Sequence, residues 1–168
     1  FIIHFWYILF PLIAAAIFMT LKYLKTPSGK FLLHNTVLRI PVLKTIVMKI
    51  AIARFSRTFS ALIGAGVPVL EALDVTSRAV GNVVYEKALL EASKAVEGGS
   101  TLSHEIEKNP LFPAIVPQML AVGEETGQTD TVLVKVADFY EEEVDVAIEG
   151  ISAIIEPVMI VFMGGMVG

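Results

Sequence analysis

No cysteine occurs among the 168 residues, which rules out a disulfide, a thiolate zinc site and a cysteine nucleophile, and suits a cytoplasm-facing location. The strings that announce common chemistries are missing as well. No G-x-x-x-x-G-K-[ST] run is present to cradle a nucleotide phosphate, and Gly64-Ala65-Gly66 lacks the third glycine and the preceding strand of a dinucleotide fingerprint. These glycines read as a helix-to-helix turn. No His-Glu-x-x-His string exists, and His4, His34 and His104 are scattered, so no metal, cofactor or catalytic residue is expected. Glu124, Glu125, Glu141, Glu142, Glu143 and Asp145 offer oxygen ligands to a hard cation, but such clusters are more usually a solvated helix face. An intramembrane protease fits no better: the apolar runs contain no Asp, and Ser152 and His4 both sit near segment ends.

Acidic residues are also absent from 22–60, a stretch that carries Lys22, Lys25, Lys30, Arg39, Lys44, Lys49, Arg54 and Arg57. From Glu124 to Glu156 the balance reverses, with Lys135 the only base among ten acids. The chain is electrically two-ended, and its net charge of −4 argues against a nucleic-acid binder. The basic stretch follows an apolar run, so anionic membrane lipid is the more economical partner for it.

What the sequence has in excess is apolar character, 55% of residues against about 45–50% in soluble domains. Residues 1–21 are interrupted only by His4, Trp6, Tyr7, Pro11 and Thr20, and a helix of that length spans about 31 Å, enough for a bilayer core. The bases lie after this run rather than before it, which favours a transmembrane helix over a signal peptide and puts its C-terminal side in the cytoplasm. Trp6 and Tyr7 suit the outer interface, or serve equally as lipid-facing bulk. A second apolar stretch, 151–168, is broken only by Glu156 and Pro157 and reaches about 27 Å. It reads as the start of a further span. Gly164 and Gly168 there have the small-x-x-x-small spacing of close helix packing. Glu156 is the single acid in a span, suited to packing at the interface or to coupling. With Phe1 rather than Met at the start and an apolar run at the end, the sequence is expected to be a piece of a longer protein.

Between the spans, no alternating strand pattern of useful length appears, and turn signals divide 22–150 into helices. Thr26-Pro27-Ser28-Gly29 ends the first membrane exit, and a helix is expected from 41 to about 63. A break at 64–68 precedes one to about 80; Gly81 stops it and Asn82 caps the next, 83–97. Ser100 is expected to cap a short helix to about 108, followed by one over 113–125. The last begins near Thr129-Asp130 and runs unbroken into the second apolar stretch. The expected fold class is all-α: a six-helix antiparallel cytoplasmic bundle flanked by transmembrane helices, with domains at 1–21, 22–150 and 151–168. In the last helix Leu133, Val136, Tyr140, Val144, Ala147 and Ile151 form an apolar stripe. Asp138, Glu142, Asp145 and Glu149 recur on another face as an acidic ridge, either a solvated surface or a dock for a basic partner. The helix from Pro41 has only a thin polar strip, Lys49, Ser56 and Ser60, and should lie deep in the bundle.

The string RFSRTFSALIGAGVPVLEAL at 54–73 resembles a repeated motif of the inner-membrane platform-protein family of type II secretion and type IV pilus machines. Further blocks follow in order: GNVVYEKAL from Gly81, EGGSTLSHEI from Glu97, FPAIVPQMLAVGEETGQTD from Phe112, FYEEEVD from Phe139 and IIEPVMIVFMGG from Ile154. The resemblance covers about 26–168. It implies the second of two related cytoplasmic domains in a multi-pass protein of the bacterial inner membrane. It further implies a small homo-oligomer that meets a hexameric assembly ATPase, pilin or pseudopilin subunits and inner-membrane alignment proteins. Gly123-Glu124-Glu125-Thr126-Gly127 and Glu156-Pro157 match motifs of that family. Across the bundle, Glu124 or Glu125 is expected to pair with Arg54 or Arg57. A subunit of a membrane transporter or channel is the alternative, which would require further spans lined with polar residues.

Overall fold

The computed structural model describes residues 41–167. Six helices occupy them: α1 (Pro41–Gly64), α2 (Val69–Ala79), α3 (Val83–Glu97), α4 (Leu102–Glu107), α5 (Ile115–Thr126) and α6 (Thr129–Val167). The expected span over 1–21, with Trp6 and Tyr7, lies outside the described residues. So do Lys22, Lys25, Lys30 and Arg39, the side chains of Glu156 and Pro157, and Gly168. Among the described residues no helix is long and apolar enough to cross a membrane.

Local chemistry accounts for the breaks. Asn82 Oδ1 accepts from the Val84 and Tyr85 N–H groups at 2.9 and 3.4 Å, satisfying two of the donors that the first turn of α3 leaves without an intrahelical acceptor. At the other end of the domain, α5 closes on Gly127, whose φ of 67° is left-handed and favours glycine over any residue with a Cβ. The Gln128 N–H then donates back to the Gly123 carbonyl at 3.0 Å, and α6 begins two residues after the cap.

α1 is the core helix. Ile52, Phe55, Ser56, Phe59 and Ser60 are all buried, so of its polar strip only the half-buried Lys49 reaches water. Ser60 donates to the Arg57 carbonyl at 3.0 Å. Around Phe55 an aromatic cluster forms: Phe59 stacks on it at 5.6 Å, and Phe112 meets it edge-on at 6.2 Å and Tyr85 at 5.6 Å. The Tyr85 hydroxyl donates to the Leu111 carbonyl at 3.0 Å, which keeps a buried polar atom paired. Burial pushes the Tyr85 phenol above its ordinary pKa. The stripe of α6 closes the core with Leu133, Val136 and Tyr140, then fades to half-buried at Val144 and Ala147.

α1 and α6 pack along each other more extensively than any other two helices. Their contacts run Gly64 to Asp130, Arg57 to Asp138 and Glu141, and Lys49 to Glu143, an antiparallel register. The start of α1 and the 150 region of α6 therefore lie at one end of the bundle. α6 passes Gly150 without a break and stays helical to Val167.

Candidate functional site: the α1–α6 seam and the 123–127 turn

The two-ended charge of the sequence folds back on itself. Basic α1 lies against acidic α6, and three ion pairs lace them. Lys49 Nζ reaches Glu143 Oε2 at 2.7 Å. Arg57 grips Glu141 with two nitrogens, Nε to Oε1 at 2.8 Å and Nη2 to Oε2 at 2.6 Å, and its Nη2 also holds Asp138 Oδ1 at 2.5 Å. Such a fork fixes direction as well as distance. The hydrogen bond to Glu141, then that to Asp138, raises Arg57 further above its ordinary pKa. In return, the bond from Arg57 holds the Glu141 carboxyl below the usual glutamate range, outweighing partial desolvation.

The acidic ridge is consequently not uniform. Asp138 is engaged by Arg57, whereas Glu142, Asp145 and Glu149 are exposed and have no partner among the described residues. Asp145 borders a groove of about 450 Å³ between α1 and α6, together with Ile50, Ala53, Arg54, Val144 and Ile148. Arg54 forms the opposite wall. Its guanidinium covers Gly81, where a Cβ would collide with it.

The pairing expected between Glu124 or Glu125 and Arg54 or Arg57 does not form. Arg57 faces α6 instead, and Glu124 turns to the N-terminus of α4. There its carboxylate accepts from the Leu102 N–H at 2.8 Å, the Ser103 N–H at 3.3 Å and the Ser103 hydroxyl at 2.5 Å. Ser100, expected to cap this helix, donates to Glu105 at 2.6 Å. A carboxylate from a helix 22 residues away has taken the cap, because a full negative charge suits the exposed N–H groups and their dipole better than a hydroxyl. Gly123 stands against the start of α6, where a Cβ would approach Thr129 Cα to 2.7 Å. The Thr126 hydroxyl donates to the Val122 carbonyl at 2.7 Å. Four members of the Gly-Glu-Glu-Thr-Gly turn thus have structural work, and Glu125 is exposed without a partner among the described residues.

Lys49, Glu141 and Glu143 were not expected as partners of one another: the two carboxylates figured only as possible oxygen ligands or a solvated face. Glu141 and Glu143 stand off the ridge spacing, and Lys49 reads as part of a polar strip. The opposed charge of the two segments was the available signal. Gly164, expected in a packing pair with Gly168, has open space around its Cβ position.

Comparison with known proteins decides the family. Residues 55–168 match the family model described as type II secretion system (T2SS), protein F. The chain belongs to this family. It is 44% identical over 159 residues to the type IV pilus assembly protein PilC of Thermus thermophilus, covering 94% of this chain and 39% of that protein. It is 39% identical over 165 residues to PilC of Myxococcus xanthus, covering 98% of the chain and 39% of the relative. The type II secretion system protein F of Aeromonas hydrophila is 31% identical over 134 residues, which are 80% of this chain and 34% of that protein. The chain therefore spans about two fifths of the length of the PilC relatives it matches. Its family is that of the type II secretion and type IV pilus platform proteins, and its described residues form an all-α bundle.

Proposed function

We propose that this part of the platform protein is a non-catalytic mechanical coupler in the bacterial inner membrane. Its bundle faces the cytoplasm and passes displacement from an assembly ATPase to membrane-embedded pilin or pseudopilin subunits. The observation that carries the reading is the continuity of α6, one 39-residue helix that begins in the bundle and runs on through the apolar stretch as far as Val167. A helix whose backbone ladder is unbroken transmits tilt and translation along its length. A flexible linker would absorb them.

Two glycines inserted after Glu149 of the full-length protein test the coupling. The expected outcome is loss of pilus or pseudopilus assembly with membrane insertion intact; normal assembly in that variant overturns the lever. For the ATPase contact, Glu142 and Glu149 offer exposed carboxylates to a basic surface. Glu142→Lys with Glu149→Lys should abolish co-purification of the ATPase with the full-length protein; unchanged co-purification returns these residues to simple solvation.

A further inference from the structure

We infer that residues 30–40, which precede α1, fold back along its first turns and seat in the α1–α6 groove of the same chain. Leu33 lies against Val47 and Ile50, and Lys30 meets Asp145.

A helix face left open by its neighbours calls for an occupant. α2 turns back along α1 as far as Arg54, whose guanidinium meets Gly81. From there towards Pro41, Ile50, Val47 and Leu43 follow at three- and four-residue steps and share a face. Leu43 is 39% exposed, and Val47 and Ile50 are half-buried. An apolar stripe of this kind on a helix normally faces a neighbour. It leads into the recess of about 450 Å³ lined by Ile50 and Ala53 on α1 and Val144 on α6. On the rim stands Asp145, exposed and without a partner among the described residues.

The sequence supplies the occupant next door. Lys30, Leu33 and Val37 recur at three- and four-residue steps, which puts them on one side of a helix. The ring of Pro41 disfavours helical backbone at Ile40, so one straight helix through the junction is opposed and a change of direction is favoured. Residues 30–38 as a helix measure about 13 Å, the reach of α1 from Leu43 to Ala51. A reversal over 39–42 therefore sets Val37 between the levels of Leu43 and Val47, Leu33 between Val47 and Ile50, and Lys30 beside Ala51. Glu143, two residues before Asp145, pairs with Lys49, which brings Asp145 within reach of Lys30. The segment carries Lys30 and Arg39 and no acid, matching a rim whose uncommitted charge on α6 is a carboxylate. Burial of the apolar stripe supplies the stabilisation, and the ion pair sets the register.

The inference stands apart from the mechanical reading, because it concerns neither Glu142 nor Glu149 and is read within one chain. These 168 residues hold no cysteine, so engineered thiols report without background once any cysteine beyond them is changed to serine. Full-length protein carries Ile50→Cys together with Phe31→Cys, Leu32→Cys, Leu33→Cys or His34→Cys, which presents one helical turn to one groove position, and membranes are oxidised. The expected product is an intrachain disulfide, read as loss of maleimide labelling after denaturation, with the highest yield at Leu33→Cys. In the control, Lys87→Cys on an exposed face of α3 replaces Ile50→Cys. Yield no higher than this control at all four positions overturns the proposal, the result expected of a segment laid on the bilayer instead. A disulfide that joins two differently tagged copies overturns it as well.

Charge reversal supplies the second measurement. In the Leu33→Cys, Ile50→Cys background, Lys30→Glu and Asp145→Lys singly should each slow disulfide formation about threefold, and the two together should restore it. Single variants that slow the reaction without recovery in the double variant overturn the pairing. Helical content by circular dichroism equal to the parent verifies that each variant is folded.

Discussion

Glu124 and Gly123 stand side by side and do unrelated work, one as an acceptor and one as an empty space. Glu124 supplies the cap that α4 lacks locally, since the Thr101 hydroxyl at the N-cap position accepts from the Ser103 hydroxyl at 3.3 Å and caps no backbone N–H. Removing it in Glu124→Ala leaves two N–H groups without their acceptor and should cost about 1–2 kcal/mol. Glu124→Gln keeps an acceptor oxygen and should lose less than half of that. Gly123→Ala should cost more than Glu124→Gln, about 1–3 kcal/mol, because its methyl group would meet the Thr129 backbone at 2.7 Å rather than a side chain able to turn away. Urea unfolding followed by circular dichroism orders the three variants. An alanine at 123 as stable as the parent would remove the close-approach account of this turn.

This is also the scale at which sequence reasoning stopped. Asn82 was legible as a cap because its acceptors lie two and three residues away, and capping rules are local. Glu124 was not, because its helix is 22 residues off and no short-range rule links them.

Among the elements, the α1–α6 seam answers to pH. Glu141 binds protons more weakly in the folded state than when unfolded, owing to Arg57. Its contribution is therefore present above the unfolded pKa and is lost as pH falls through the depressed folded value. Acidification below the ordinary carboxylate range should loosen the seam in the parent. Glu141→Gln should flatten that acid limb in a plot of thermal midpoint against pH; an identical limb would assign the acid sensitivity to other carboxylates. At neutral pH the network is largely exposed, and a double-mutant cycle of Arg57→Ala with Glu141→Ala should show about 0.5–1 kcal/mol of coupling. The existence and extent of the helices were readable from periodicity and turn residues, as at 83–97, where expectation and structure coincide. Register was another matter. Ten acids in one segment offered Arg57 many partners, and only the antiparallel packing of α6 on α1 selects Asp138 and Glu141.

In the molecule as a whole, the opposed charge of the two segments shows its purpose once α1 lies along α6. A two-ended sequence became a helical pair neutralised along its seam, with charge left over at the groove walls and on the outward ridge. Glu142 and Glu149, Arg54 and Asp145 belong to that remainder, and the docking experiment probes it at Glu142 and Glu149. The glycine insertion belongs to this scale too, since it follows the α1–α6 ion pairs and alters only the continuity of α6 beyond Glu149.

The antiparallel register also fixes how the domain bears load. Because the chain enters α1 and passes Gly150 at the same end, tension applied between these two points peels the helices apart one contact at a time, Lys49 from Glu143 first and Arg57 from Asp138 and Glu141 after it. Unzipping of this kind yields at low force, whereas shear would stress all the contacts together. A bundle held at these two points is poorly suited to being stretched between them and well suited to being pushed, tilted or turned as one rigid body.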